Sequence, residues 1–237
     1  MEIKLKKKPK NPIIIESFPG FGLVGTIAGE FLLEHLKVEQ IGKIIFNEML
    51  AMVAIHENKI VEPLGIFYNK KYNIVILHAI TASTGHEWDI AEALIKLSED
   101  LKAKEVISLE GVGSGDGDKN ANRVFYYSNN DKINSKFKKI SIDPLKEGII
   151  IGVTGAILLR SEKVPVSCIF AETQTNMPDS KAAARVIETL DKYLGLKVDT
   201  KPLLLQAEKF EGKLKNLISG SQKAVELSEK KKMSYVG

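Results

Sequence analysis

The chain of 237 residues contains one cysteine, Cys168. A disulfide framework within the chain is therefore excluded, and a lone Cys in the apolar run 164–171 reads as a small buried hydrophobe. No apolar run reaches the roughly 18 residues that a membrane helix needs. The basic start, Met1 to Lys10, is not followed by the apolar stretch of a secretory signal, so a cytoplasmic protein is expected. Recognisable catalytic apparatus is also scarce. Nucleophile elbows, Cys-x-x-Cys pairs and His-Glu-x-x-His are missing, and His35, His56 and His78 form no paired metal spacing. No metal or cofactor is expected.

Arginine is scarce too, with 31 Lys and 3 Arg, and the net charge is only +4. Lysines crowd the two ends, at Lys6, Lys7, Lys8 and Lys10 and at Lys230, Lys231 and Lys232. The body between them is close to neutral. A nucleic-acid binder would set its basic residues on one face among aromatics. Terminal, aromatic-poor runs read instead as solvated ends, or ends that meet an acidic protein.

What the chain does have is a 44% hydrophobic content, enough for a real core. Strands and helices alternate along it. Ile13–Ser17 reads as a buried strand, and 22–36 as a helix with Val24, Ile27, Ala28, Phe31, Leu32 and His35 on one face. Strands are expected at 43–46 and 52–55. A hairpin follows, from 65–68 to 73–79, turning at Asn69-Lys70-Lys71. Residues 88–101 form a helix. Strands are expected at 105–109, 124–127, 148–153 and 164–171. A helix spans 180–194, with Pro178-Asp179-Ser180 as its start signal. Several strands are continuous apolar runs, the pattern of strands covered by helices on both faces. Residues 1–200 thus read as one α/β domain with a mixed sheet. A helix with a coiled-coil-like stripe is expected over 201–229, weakened at Gly212 and Gly220, and a flexible tail over 230–237.

Three segments invite a chemical reading. Gly20, Gly22 and Gly25 fit the G-x-G-x-x-G fingerprint of dinucleotide-binding loops, and Glu48 stands where a ribose-binding acid would be. Pro19 and Phe21 crowd the place where a pyrophosphate needs bare backbone, and Pro19 has no N–H. The competing reading is structural: Gly20 and Gly22 make a tight turn, and Gly25 and Gly29 let the helix lie close on the sheet. The residues favour this second reading. The loop 110–121 imitates a calcium loop at Asp116, Asp118 and Asn120, but Ala121 and Tyr127 replace its required Gly and Glu. In Thr81–Asp89, the residues His86, Glu87 and Asp89 could serve acid–base chemistry, yet Ser83 or Thr84 with Glu87 suits a capping box better.

Three motifs then fall in order: Ser17-Phe-Pro-Gly-Phe-Gly-Leu-Val-Gly, Gly152-Val-Thr-Gly-Ala-Ile-Leu-Leu, and Ala171-Glu-Thr-Gln-Thr-Asn-Met-Pro-Asp-Ser-Lys-Ala-Ala-Ala. Together they make the chain resemble the archaeal proteasome assembly chaperone family, over roughly residues 11–200. The resemblance implies a three-layer α/β/α sandwich like that of nucleoside phosphorylases, without their active site. It implies a cytoplasmic homo-oligomer, taken as a tetramer, that needs no cofactor. It also implies a partner, the α-subunits of the proteasome core particle, met as an assembly chaperone or an ATP-independent activator. Members can dock through a C-terminal hydrophobic–tyrosine–any-residue tail. Here the tail residues are Tyr235, Val236 and Gly237, with the tyrosine one place further from the end and Ser234 before it. The alternative is a nucleotide-dependent enzyme, an ATP-grasp-type carboligase or a dinucleotide-binding enzyme, built on the Gly20–Gly25 loop.

Overall fold

The computed structural model describes residues 1–46, 53–56, 58–79, 85–113, 122–173 and 177–205, and beyond these 207, 209, 211, 212, 216 and 219. In chain order the elements are β1 (Glu2–Leu5), β2 (Ile13–Ser17), α1 (Val24–His35), β3 (Glu39–Ile45), β4 (Ala54–His56), β5 (Lys59–Val61), β6 (Leu64–Asn69), β7 (Ile74–Ala79), α2 (Glu87–Leu101), β8 (Glu105–Gly113), β9 (Val124–Ser128), α3 (Asp131–Lys139), β10 (Asp143–Pro144), α4 (Gly152–Arg160), β11 (Val166–Thr173), α5 (Ser180–Leu194) and α6 (Lys201–Leu205).

Nine strands form one sheet in the order β1-β3-β6-β7-β2-β8-β11-β9-β10, and β4 and β5 pair separately. The four central strands, β7, β2, β8 and β11, are parallel. Antiparallel pairs flank them on both sides. β7 and β11 are buried at every position. Helices on both faces explain why these strands read as unbroken apolar runs. On one face Ile27 and Phe31 of α1, Phe137 of α3, and Val186 and Leu190 of α5 share a core with Ile15 and Ile107. On the other, Ile90 and Leu94 of α2 and Val153 and Ile157 of α4 share a core with Ile14 and Val106. The sheet is mixed and the fold is α/β, as expected.

The strand expected at 148–153 is absent. Ile149 and Ile151 are 90% and 81% exposed, and a helix, α4, opens at Gly152. The isoleucines favour a strand only where a sheet edge or a core receives them, and neither does here. Two strands run longer than read, β3 starting at Glu39 and β8 continuing to Gly113. Helix α3 carries no apolar stripe beyond Ile133 and Phe137, so its pattern did not stand out; Asn130 caps it by accepting from the Lys132 and Ile133 N–H groups. The cap of α2 also differs. The helix begins at Glu87 with His86 at the cap position and no side-chain cap bond. Glu87, the first helical residue, accepts from the Gly85 N–H at 3.0 Å, which is not the contact of a third-position capping-box glutamate. Ser83 and Thr84 lie outside the described residues.

Helix α5 spans the expected 180–194. Asp179 is its cap: one carboxylate oxygen accepts from the Ala182 N–H at 2.9 Å, the other from the Thr173 hydroxyl at 2.8 Å. Asp179→Ala is expected to lower unfolding free energy by about 1–2 kcal/mol in urea titrations, since one carboxylate serves both the helix end and β11. Beyond Gly195 the chain returns to the body. Leu203 of α6 is fully buried in the α1/α3/α5 core, and Glu211 accepts from the Ser180 N–H at 3.1 Å. Most residues of the helix read over 201–229 lie outside the described residues.

Candidate functional site

Neighbouring parallel strands here send their chain to opposite faces: β2 leads to α1 on one side and β7 to α2 on the other. Open α/β sheets place their sites at the carboxyl ends of strands at such a point. The loop from β2 to α1 holds Gly20, Gly22 and Gly25. Each glycine is shaped by what lies against it. A Cβ at Gly20 would run into the Glu110 carboxylate. Gly22 has φ +64°, and a Cβ there would meet Thr173 Cγ2 at 2.8 Å. A Cβ at Gly25 would strike the Leu109 carbonyl oxygen and come within 2.9 Å of the Phe18 carbonyl oxygen. Gly29 of α1 lies equally close over Ser17, so α1 rides directly on β2 and β8.

Beneath this loop lies a buried polar network. Consecutive residues of a strand point to opposite faces, so Glu16 faces α4 while Ser17 faces α1. In the strand register Glu16 pairs with Ser108, and Ser108 pairs with Cys168. The three side chains make one row across β2, β8 and β11. Thr154 of α4 comes down onto this row. The Ser108 hydroxyl bonds a Glu16 carboxylate oxygen very closely and lies 2.7 Å from Thr154 Oγ1. The Thr154 hydroxyl lies 2.6 Å from Glu110 Oε1 and 3.5 Å from Glu16 Oε2. Glu16, Ser108 and Thr154 are each 1% exposed, and Glu16 Oε1 is buried without a hydrogen-bond partner. Glu110 is partly buried, against Gly20.

Burial pushes the Glu16 carboxyl up to about 8, aided by the neighbouring Glu110 charge and opposed by the hydroxyls of Ser108 and Thr154. Burial also lifts Glu110, to about 7. The Cys168 thiol is driven well above its ordinary range by burial and by both carboxylates. It is the inert buried cysteine expected.

Two further constellations flank the loop. Ser17 Oγ donates to the Gly25 carbonyl at 2.9 Å and lies 3.0 Å from His78 Nδ1, while His78 Nε2 lies 3.3 Å from Glu30 Oε2. This resembles a Ser–His–carboxylate relay. Ser17 is fully buried beneath Gly29, so no acyl substrate reaches its hydroxyl, and the group fastens α1 to β2 and β7. At the end of β11, Arg123 forks onto Glu172 at 2.6 and 3.0 Å, and Arg185 donates to the Glu172 carbonyl at 2.7 Å. Two of the three arginines thus converge on one residue, holding the Glu172 carboxyl below its usual range.

Of the residues singled out by sequence, the structure brings Gly20, Gly22 and Gly25 against Glu110, Thr173 and Leu109. His86 and Asp89 stand 3.4 Å apart at the outer surface, away from this network. Glu48, Asp116, Asp118 and the tail residues Tyr235, Val236 and Gly237 lie outside the described residues. Sequence reasoning missed Glu16, Glu110, Ser108 and Thr154. The available signal was a glutamate inside or just after an apolar run read as buried on both faces. No group of His, Cys, Asp and Glu able to hold a metal occurs among the described residues. No described helix is long and apolar enough to cross a membrane.

A mixed sheet with helices on both faces and a glycine loop packed against β8 define an α/β fold. The PAC2 family profile matches residues 14–218, and the chain belongs to that family. The crystal structure of Pyrococcus furiosus PbaA, an archaeal homolog of proteasome-assembly chaperone, superposes with a TM-score of 0.84 at 31% identity, over 94% of this chain and 99% of that one. An uncharacterized protein of Methanocaldococcus jannaschii is 29% identical over 235 residues, 98% of this chain and 96% of its own. Pyrococcus furiosus PbaB, an archaeal proteasome activator, shares the fold at 22% identity with a TM-score of 0.74, over 91% of this chain and 98% of that one.

Proposed function

We propose that this protein is a non-enzymatic, cytoplasmic partner of the proteasome, an assembly chaperone or ATP-independent activator. It acts as a homo-oligomer that presents several copies of its C-terminal tail to the α-ring of the core particle. The observation that carries this reading is the kinship to PbaA along nearly the full length of both chains. The site geometry supports it. A nucleotide loop needs bare backbone for phosphate, whereas here the Glu110 carboxyl fills the space at Gly20 and the Leu109 carbonyl fills that at Gly25. An acid placed there offers phosphate nothing but repulsion once ionised.

The tail suits docking physically. Tyr235 and Val236 lie in a lysine-rich segment, Lys230–Gly237, too poor in apolar residues to form a core of its own. A segment that becomes ordered only on binding loses conformational entropy, so one copy binds weakly and several copies of an oligomer bind well. Removing Tyr235, Val236 and Gly237 is expected to abolish capture of purified core particle in a pull-down and leave the circular dichroism and melting transition unchanged. Undiminished capture by the truncated protein overturns the tail mechanism. Saturable thermal stabilisation by ATP, NAD or a nucleoside would favour the enzymatic alternative at Gly20–Gly25.

A further inference from the structure

We propose that Glu16, Ser108, Thr154 and Glu110 hold one shared proton at neutral pH and so form a latch on α4 that loosens when the proton leaves. Three contacts link the four side chains in a line: Glu16 to Ser108, Ser108 to Thr154 at 2.7 Å, and Thr154 to Glu110 at 2.6 Å. Each contact needs one hydrogen. The two hydroxyls supply two. With both carboxyls ionised, Ser108 donates to Glu16 and Thr154 donates to Glu110, and the two hydroxyl oxygens face each other with no hydrogen between them. One added proton completes the line. Glu16 then donates to Ser108, Ser108 to Thr154, and Thr154 to the ionised Glu110. Glu16 is the member that carries the proton, because it is the deeper of the two and Glu110 reaches the edge of the network.

Among the described residues no cation offsets a second charge. Neither carboxylate has a Lys, Arg or His partner among the described residues. From β11 the facing group is the Cys168 thiol, and β7 brings Leu77 to this row while His78 points to the opposite face, toward Glu30. Arg160 sits at the far end of α4, paired with Glu92 of α2 at 3.5 Å. His86 and Asp89 of the α2 start pair with each other at the surface. Loss of the proton therefore leaves two neighbouring negative charges and breaks the Ser108–Thr154 link, one of the two short polar ties between α4 and the sheet, so that Thr154 is held by Glu110 alone. The sign follows from linkage. A glutamate in the unfolded chain sheds its proton near 4.5, and the folded Glu16 keeps it to about 8. The stability it adds is complete below about pH 4.5, declines as pH rises, and is gone above about pH 8.

The chain carries its own reporter, since its one tryptophan, Trp88 of α2, has Arg160 of α4 stacked over its ring at 4.7 Å. The test is a pH titration of the full chain labelled with 13C at the glutamate carboxyls, read with Trp88 fluorescence, for the natural protein, Glu16→Gln and Glu110→Gln. Two glutamate signals should titrate near or above neutral pH; the higher should vanish in Glu16→Gln and move to lower pH in Glu110→Gln, where the neighbouring charge is gone. Glu105, also raised by burial, keeps its own signal in both variants. The fluorescence change should share the Glu16 midpoint and be lost in Glu16→Gln, which cannot ionise. The proposal is overturned if Glu16 titrates with the exposed glutamates, or if its ionisation leaves Trp88 unmoved. A variant that fails to fold does not rescue it, because the natural protein alone must show the high midpoint and the matched fluorescence step.

Discussion

Gly25→Ala is expected to destabilise the fold by about 3 kcal/mol or more, an overpacking cost at the upper end of the usual range. Helix propensity points the other way, since alanine in place of glycine favours a helix by about 1 kcal/mol. Sterics decide the sign. The added methyl would strike the Leu109 carbonyl oxygen on one side and crowd the Phe18 carbonyl on the other. Both are backbone atoms, one in the centre of β8, so no side-chain rotation makes room. The helix must lift from the sheet, and Val24, Ile27 and Ala28 lift with it. Gly195→Ala is the control. That glycine caps α5 at φ +68° with nothing within 4 Å of a Cβ, and its replacement should cost only about 1 kcal/mol. Urea denaturation followed by circular dichroism measures both. A Gly25 variant no weaker than the Gly195 variant would show that α1 does not need its close seat on β8.

The same close seat explains what the glycine pattern could and could not say. Spacing alone placed a strand, a turn and a helix at 13–36, and these are present. The reason for the glycines was hidden, because the atoms they avoid belong to Glu110, Leu109 and Thr173, which come from distant parts of the chain. Continuous apolar runs gave away β2, β7 and β11, since burial on both faces leaves a pattern that needs no partner to be read. Helix α5 was legible for a like reason, with its cap at Asp179 and its apolar stripe both local. Residues 148–151 misled because intrinsic strand preference is weak beside the question of what receives the side chain. The polar network was the least visible feature. Glu16 and Glu110 stand on different strands, and only the parallel register of β2 and β8, with α4 laid across them, brings their carboxyls onto one pair of hydroxyls.

Phe137→Ala should cost about 3–5 kcal/mol, the range for emptying a fully buried aromatic site. Phe137 is one of only two buried residues of α3, with Ile133 one turn away. Its ring lies between Tyr126 of β9 and Tyr193 of α5, with ring centroids 4.7 and 4.4 Å away and planes 10° and 3° from parallel. Three elements from three parts of the chain meet in this stack. Tyr193 is held in turn by its hydroxyl, which donates to Glu105 at 2.8 Å. A helix of nine residues gains little from its own hydrogen bonds in water, so packing must hold α3 in place. Without the Phe137 ring, Ile133 is the one buried side chain of α3 left in the core, and the helix should detach before the central sheet unfolds. Amide exchange across 131–139 should accelerate ahead of β8 and β11, a sub-global opening. Phe137→Leu fills much of the space but loses the ring stacking, at a cost of about 1 kcal/mol beyond its lost area. If Phe137→Ala weakens the protein by no more than an exposed substitution on α3, the stack is not what holds this edge of the sheet, and the helix must owe its place to its Asn130 cap.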